Sequence, residues 1–141
     1  MTREKIVIDN AMKKQTNYVD GFVFVVPKDK IKEYRKMATF GRDAWMKHGA
    51  LAYFECRGED IIPKEMGGFK MSGFAEISKA KETETVWLSF ITFKSKKHRD
   101  EVNKKAHKEM MKSDICKPGE PMPFDMARMT YGGFKVEVSG E

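Results

Sequence analysis

The chain reads as an α+β, ferredoxin-like domain: elements in the order β-α-β-β-α-β, folded into a four-stranded antiparallel sheet with spatial strand order 4-1-3-2. Three observations predict it. Tyr18 to Val26 and Thr85 to Phe93 are the most strand-like runs, each apolar on both faces, with Asp20 the exception in the first. Each is followed by a long stretch with helical periodicity, and a further strand-like run closes each half. Strands buried on both sides belong in the middle of a sheet, and the 4-1-3-2 order puts the first and third strands there.

After the first strand, Pro27 fixes a turn and Asp29 places negative charge in the first turn of a helix. Ile31, Tyr34, Ala38, Gly41, Trp45 and His48 then recur at three- and four-residue steps, and Gly49 supplies a left-handed stop. The second strand, over 50–57, sets Ala50, Ala52, Phe54 and Cys56 against Leu51, Tyr53, Glu55 and Arg57. Residues 58–83 are irregular, with Pro63, Gly67, Gly68 and Gly73 among isolated apolar residues. Phe69, Met71 and Phe74 would be wasted on a free loop, so this connection is expected to cover a cleft or reach a neighbour. Beyond the third strand, Ser95 caps a helix over 96–112 whose inward stripe is the stem of Arg99, Val102, Ala106 and Met110. Pro118, Pro121 and Pro123 hold a loop over 114–125. The last strand runs over 127–138, with Gly132-Gly133 marking a bulge or a close approach. Residues 1–16 are expected to be a polar, flexible N-terminal extension, either a tail or an edge strand lent to a partner, and 17–141 the single domain.

Hydrophobic residues at 40% and charged residues at 34% place the chain among folded proteins and exclude a disordered one. No apolar run nears the roughly 20 residues that span a bilayer. Ile6-Val7-Ile8 is too short for a secretion signal, so a cytoplasmic location without membrane contact is expected. Cys56 and Cys116 stand far apart with no metal-ligand spacing, which predicts two reduced thiols, no metal and no cofactor. A net charge of +6 invites nucleic acid, but 27 basic residues face 21 acidic ones and the two interleave. The one dense patch, Lys94, Lys96, Lys97, Arg99, Lys104, Lys105 and Lys108, fits a solvated helix face, and a nucleic-acid partner is disfavoured. Two helices cover only one face of such a sheet. The other is expected to carry Phe and Trp residues, and its cheapest cover is a second copy of the chain, a homodimer formed through the open face.

Tyr18-Val-Asp-Gly-Phe, the Val-Pro-Lys-Asp-Lys after it, His48-Gly-Ala-Leu-Ala-Tyr, Glu55-Cys and Met122-Pro-Phe-Asp with Arg128-Met and Tyr131-Gly-Gly-Phe together resemble the YbaA-like bacterial family, domain of unknown function 1428. The resemblance covers about residues 17–138. It implies a dimeric α/β-barrel, in a superfamily that also holds small monooxygenases and haem-handling enzymes. Some members carry a label mentioning signal-recognition-particle RNA. The family has no assigned catalytic residues, so the resemblance transfers none.

Candidate site residues come from the sequence itself. Asp20 is a carboxylate inside an apolar central strand, with Lys94 or Lys135 as expected partners; Tyr18 and His48 are expected at the same end, a set able to move protons. Glu55 sits beside Arg57, and if that face turns toward a dimer partner it needs a counter-charge such as Arg128. Trp87, Tyr53 and Tyr131 are candidates for lining a ligand pocket. The favoured function is binding of a small organic molecule, with cofactor-free acid/base or oxygen chemistry. An RNA-binding accessory protein and an interaction module without catalysis are the competing readings.

Overall fold

A computed structural model describes residues 2–3, 15–116, 119 and 121–140. The side chain of Cys116, Pro118 of the proline-held loop and most of the N-terminal extension lie outside that set. Four strands form one sheet: β1 (Tyr18–Pro27), β2 (Ala52–Arg57), β3 (Glu84–Phe93) and β4 (Thr130–Lys135), in spatial order β2-β3-β1-β4 with every neighbour antiparallel. This is the predicted ferredoxin-like order, with the two doubly apolar runs at the centre. Helix α1 (Ile31–Lys47) follows β1, a five-residue α2 (Phe74–Ser78) interrupts the long connection, and α3 (Lys96–Lys112) follows β3.

The helix ends sit where their residues dictate. Gly49 takes φ +110 just past α1, the left-handed stop that its missing Cβ allows. Ser95 accepts the His98 N–H at 3.0 Å and caps α3. The last strand is shorter than predicted because Asp125 accepts the Ala127 N–H at 3.0 Å and winds Met126–Arg128 into a 3-10 turn. The second strand likewise starts late: the Ala50 N–H still bonds back to the Trp45 carbonyl of α1.

Both long helices cover one face of the sheet. There Tyr18, Asp20, Phe22, Phe24 and Val26 of β1 share a side with Trp87, Ser89, Ile91 and Phe93 of β3 and with Tyr53, Glu55 and Arg57 of β2. The core on this side has two lobes. One joins Ile91 and Phe93 to Ala44, Trp45, Val102 and Ala106. The other joins Phe24, Val26 and Trp87 to Tyr34 and Ala38, with Phe124 closing over Phe24 at 5.5 Å. Fully burying side chains such as Phe24, Val26 and Phe93 contributes about 1.5–3 kcal/mol each.

The opposite face is only partly clad. Val25 and Val86, paired across β1 and β3, are buried where α2 packs on both strands. Beyond them Phe54, Leu88 and Phe134 are exposed, and Phe54 stacks on Phe90 with ring centroids 4.8 Å apart. The rest of the long connection keeps Ile62, Met66, Phe69 and Met71 in solvent.

Gly132 and Gly133 pair one-for-one with β1, so no bulge forms there. Close approach is the reason for Gly133: a Cβ would stand 2.5 Å from Tyr18 Oη and 2.9 Å from an Arg99 guanidinium nitrogen. We expect Gly133→Ala to cost about 1–3 kcal/mol by overpacking, a fall in melting temperature of roughly 2–10 °C for a chain of this size. The loss should shrink markedly in a Tyr18→Ala background, read by thermal melts of the four chains of the cycle. Equal losses in both backgrounds would refute the clash.

Candidate functional site

Two carboxylates lie on the helix-covered face, and the structure treats them differently. Asp20 is fully buried. Its Oδ1 accepts from an Arg99 guanidinium nitrogen at 2.7 Å and its Oδ2 from Asn103 Nδ2 at 3.2 Å. Arg99 also donates to Tyr131 Oη at 2.8 Å and to Asp100 at 2.8 Å, and its guanidinium lies 5.0 Å from the centre of the Tyr18 ring. Asn103 in turn accepts from Trp45 Nε1 at 2.9 Å. The partner of Asp20 is therefore Arg99, not Lys94 or Lys135. Arg99 stands in the first turn of α3, on the stripe that faces the sheet, where its stem packs and its head reaches inward. Both oxygens of Asp20 are engaged, and the cluster is a packed ion pair.

His48 does not join that cluster. At the end of α1 its Nε2 lies 2.7 Å from Glu109 Oε2, and no hydrogen bond or ring contact links it to Asp20 or Tyr18 among the described residues. Hydrogen bonds from Lys47 and His48 hold the Glu109 carboxyl below the usual range. Arg128 is also elsewhere. It binds Glu84 at 2.6 and 3.1 Å and donates to the Lys79 carbonyl at 2.7 Å, fastening the end of the long connection to β3. The Arg128 hydrogen bond depresses the Glu84 carboxyl. Tyr131 stacks on Phe22 at 4.8 Å, on the β4 side of the sheet.

Glu55 is the second carboxylate, and its face turns toward α1 instead of an outer partner. Tyr53 Oη donates to its Oε1 at 2.9 Å; Tyr34 Oη donates to Oε2 at 2.8 Å and Ser89 Oγ to the same oxygen at 2.5 Å. The register explains Ser89, which is paired with Glu55 across β2 and β3. Tyr34 comes from the buried stripe of α1. Gly41 makes room for Tyr53: a Cβ there would meet Tyr53 Oη at 2.9 Å. Burial, with the Glu55 charge beside them, pushes both phenols far above their ordinary value.

Over Glu55 lies a cleft of about 540 Å³ between α1 and the β2 edge of the sheet. Arg35, Ala38, Thr39 and Arg42 line one wall, spaced along one stripe of α1. Tyr53, Glu55 and Arg57, two residues apart on β2, line the other, with Trp87 of β3 beneath. Three sequence candidates, Glu55, Trp87 and Tyr53, thus meet in one place. Tyr34, Ser89, Arg35 and Arg42 had no signal of their own: two hide in apolar patterns and two look like ordinary surface charges. Among the described residues no three His, Cys, Asp or Glu side chains are placed to hold a metal ion. Cys56 is a free, exposed thiol. The lysines of the basic patch are exposed, Lys96 is paired with Asp100, and Arg99 is withdrawn from the patch by Asp20. No helix of the described residues is long and apolar enough to cross a membrane.

The tyrosine shifts have a measurable sign. The folded state holds Tyr34 and Tyr53 neutral at pH values where the unfolded chain, with phenols near pH 10, ionises them. Their contribution to stability is complete below about pH 10 and is lost as pH rises above it. In an alkaline titration followed at 295 nm, we expect two of the four tyrosines to ionise only as near-ultraviolet circular dichroism collapses. Tyrosine ionisation that finishes while the fold persists would contradict this.

The family profile described as "Protein of unknown function (DUF1428)" matches residues 17–126. The protein named "Uncharacterized protein YbaA" in Escherichia coli K12 is 40% identical over 118 residues, covering 84% of this chain and 94% of its own. The protein of the same name in Shigella flexneri gives the same figures. Among solved structures, a Bacillus cereus protein related to NIF3 aligns over 89% of this chain and 28% of its own length, at 17% identity and a TM-score of 0.32. Nothing about fold or function follows from so distant a likeness. With a profile match across β1, β2, β3, both long helices and the cleft, and relatives alike over nearly their whole length, the chain belongs to the DUF1428 family.

Proposed function

We propose that this protein binds a small organic molecule in the cleft over Glu55 and works as a homodimer joined through its open sheet face. The observation that carries the binding reading is a roomy, polar-floored cleft whose central carboxylate is fixed by three hydroxyls from three different elements. Such a carboxylate has about four acceptor sites, so roughly one stays open to a ligand donor. Glu55 is also the group placed for proton transfer to or from that ligand. Asp20 is not, because Arg99 and Asn103 occupy it. A thermal-shift screen of small polar and aromatic fragments tests the reading. A ligand at about 100 times its Kd adds about 2.7 kcal/mol, a rise of roughly 5–10 °C, and the rise should vanish in Glu55→Gln, which keeps the shape. A screen without a Glu55-dependent hit removes the proposal.

The dimer is supported by the apolar side chains of the open face: exposed Phe54 stacked on half-buried Phe90, with Leu88 and Phe134 at 42% and 61% exposure. A two-fold partner would bury each of these against its own copy and complete an α/β-barrel. Light scattering should give twice the chain mass for the natural protein and the single-chain mass for Phe134→Lys. A natural chain that runs as a monomer at micromolar concentration rules the dimer out.

A further inference from the structure

We infer that the ligand of the Glu55 cleft is an organic anion, a carboxylate or phosphate carried on a small body, clamped between Arg35 of α1 and Arg57 of β2. This deepens the binding reading above and rests on it. The lining holds three guanidinium groups, of Arg35, Arg42 and Arg57, against the carboxylates of Glu55 and Glu59. Glu55 is already met by three hydroxyls. Arg42 is already paired with Asp43 at 3.0 Å. The guanidinium groups of Arg35 and Arg57 have no hydrogen bond or ion pair among the described residues, and they stand on opposite walls of one opening.

A planar guanidinium offers a fork of donors that matches a carboxylate or phosphate edge, and two such forks facing one opening suit a single anion bridging helix and strand. The rest of the lining orients what the anion carries. Glu55 accepts only, so it selects a hydrogen-bond donor, a hydroxyl or an amine, on the same molecule. Ala38 and Thr39 are small, which leaves the body of the ligand room against Trp87. The cleft thus reads a molecule with an anionic end toward Arg35 and Arg57 and a donor end toward Glu55. Glu59, the remaining carboxylate at the lining, disfavours a second negative charge at that side.

Matched probes separate charge from shape. Isothermal titration would use 3-hydroxybenzoate against 3-hydroxybenzamide, and 3-hydroxyphenyl phosphate as the phosphate arm. We expect the better anion to bind at least about tenfold more tightly than the neutral amide, the size of one charge-assisted hydrogen bond. That advantage should fall below about threefold in Arg35→Gln with Arg57→Gln, while amide binding stays. Both arginines are exposed, so the ligand-free melting temperature of that double variant should match the natural chain and certify its fold. Which anion wins identifies carboxylate or phosphate. An amide that binds as well as both anions, and is still lost in Glu55→Gln, overturns the anion assignment and leaves the cleft standing. Binding of none of the three at millimolar concentration also overturns it, and the cleft is then judged by the fragment screen alone.

Discussion

A carboxylate buried in the middle of a sheet has to be answered, and the answer given to Asp20 sets how the second long helix lies. With no exposure of its own, Asp20 can stay charged only if a cation comes to it, and Arg99 comes from one turn into α3 while Asn103 arrives from the next. Losing Arg99 would leave Asp20 an unmatched buried charge, typically a loss of about 3–5 kcal/mol, whereas Arg99 without Asp20 keeps Asp100. The same rotation of α3 that points Arg99 at β1 also brings Val102 and Ala106 onto the sheet, so ion pair and apolar contact agree on one face of the helix. Asn103 passes the constraint on to α1 through Trp45, so the two helices are registered against each other by one chain of hydrogen bonds.

Glu55 imposes a milder version of the same demand. It is half-buried near the sheet edge, and hydroxyls satisfy it where Asp20 takes a full charge. Three neutral donors hold a carboxylate in place without cancelling its charge, whereas Arg99 answers Asp20 with a full opposite charge. Ala38 and Thr39, the small residues of α1 in the lining, leave the space beside Glu55 unfilled. One face of the sheet therefore carries a structural anion under α3 and an available one beside α1.

The architecture was legible because it rests on local patterns. Runs apolar on both faces named the central strands, three- and four-residue spacing named both long helices, and Ser95 and Gly49 marked their ends. The pairings were not, because each depends on which face of a strand meets which helix. Tyr53, Glu55 and Arg57 alternate with Ala52, Phe54 and Cys56, and alternation alone fits either side. Facing Glu55 outward made Arg128 its natural partner; turned inward, it finds Tyr34 and Ser89, and Arg128 goes to Glu84. Arg99 was hidden for a related reason: a long side chain on an inward stripe reads as a packed stem, and its head is placed only once the sheet beneath it is known.

Gly41 and Tyr53 occupy one volume between them, since the hydroxyl of the tyrosine fills the space where any other residue on the helix would begin. The strand position is therefore free to shorten alone, while the helix position is not free to grow as long as the tyrosine hydroxyl stays where it is. Alanine at the helix position would push the hydroxyl aside or call for something shorter on the strand, and either change disturbs one of the three anchors of Glu55. Inheritance at the mouth of the cleft is in this sense governed from the helix, by a residue outside its lining.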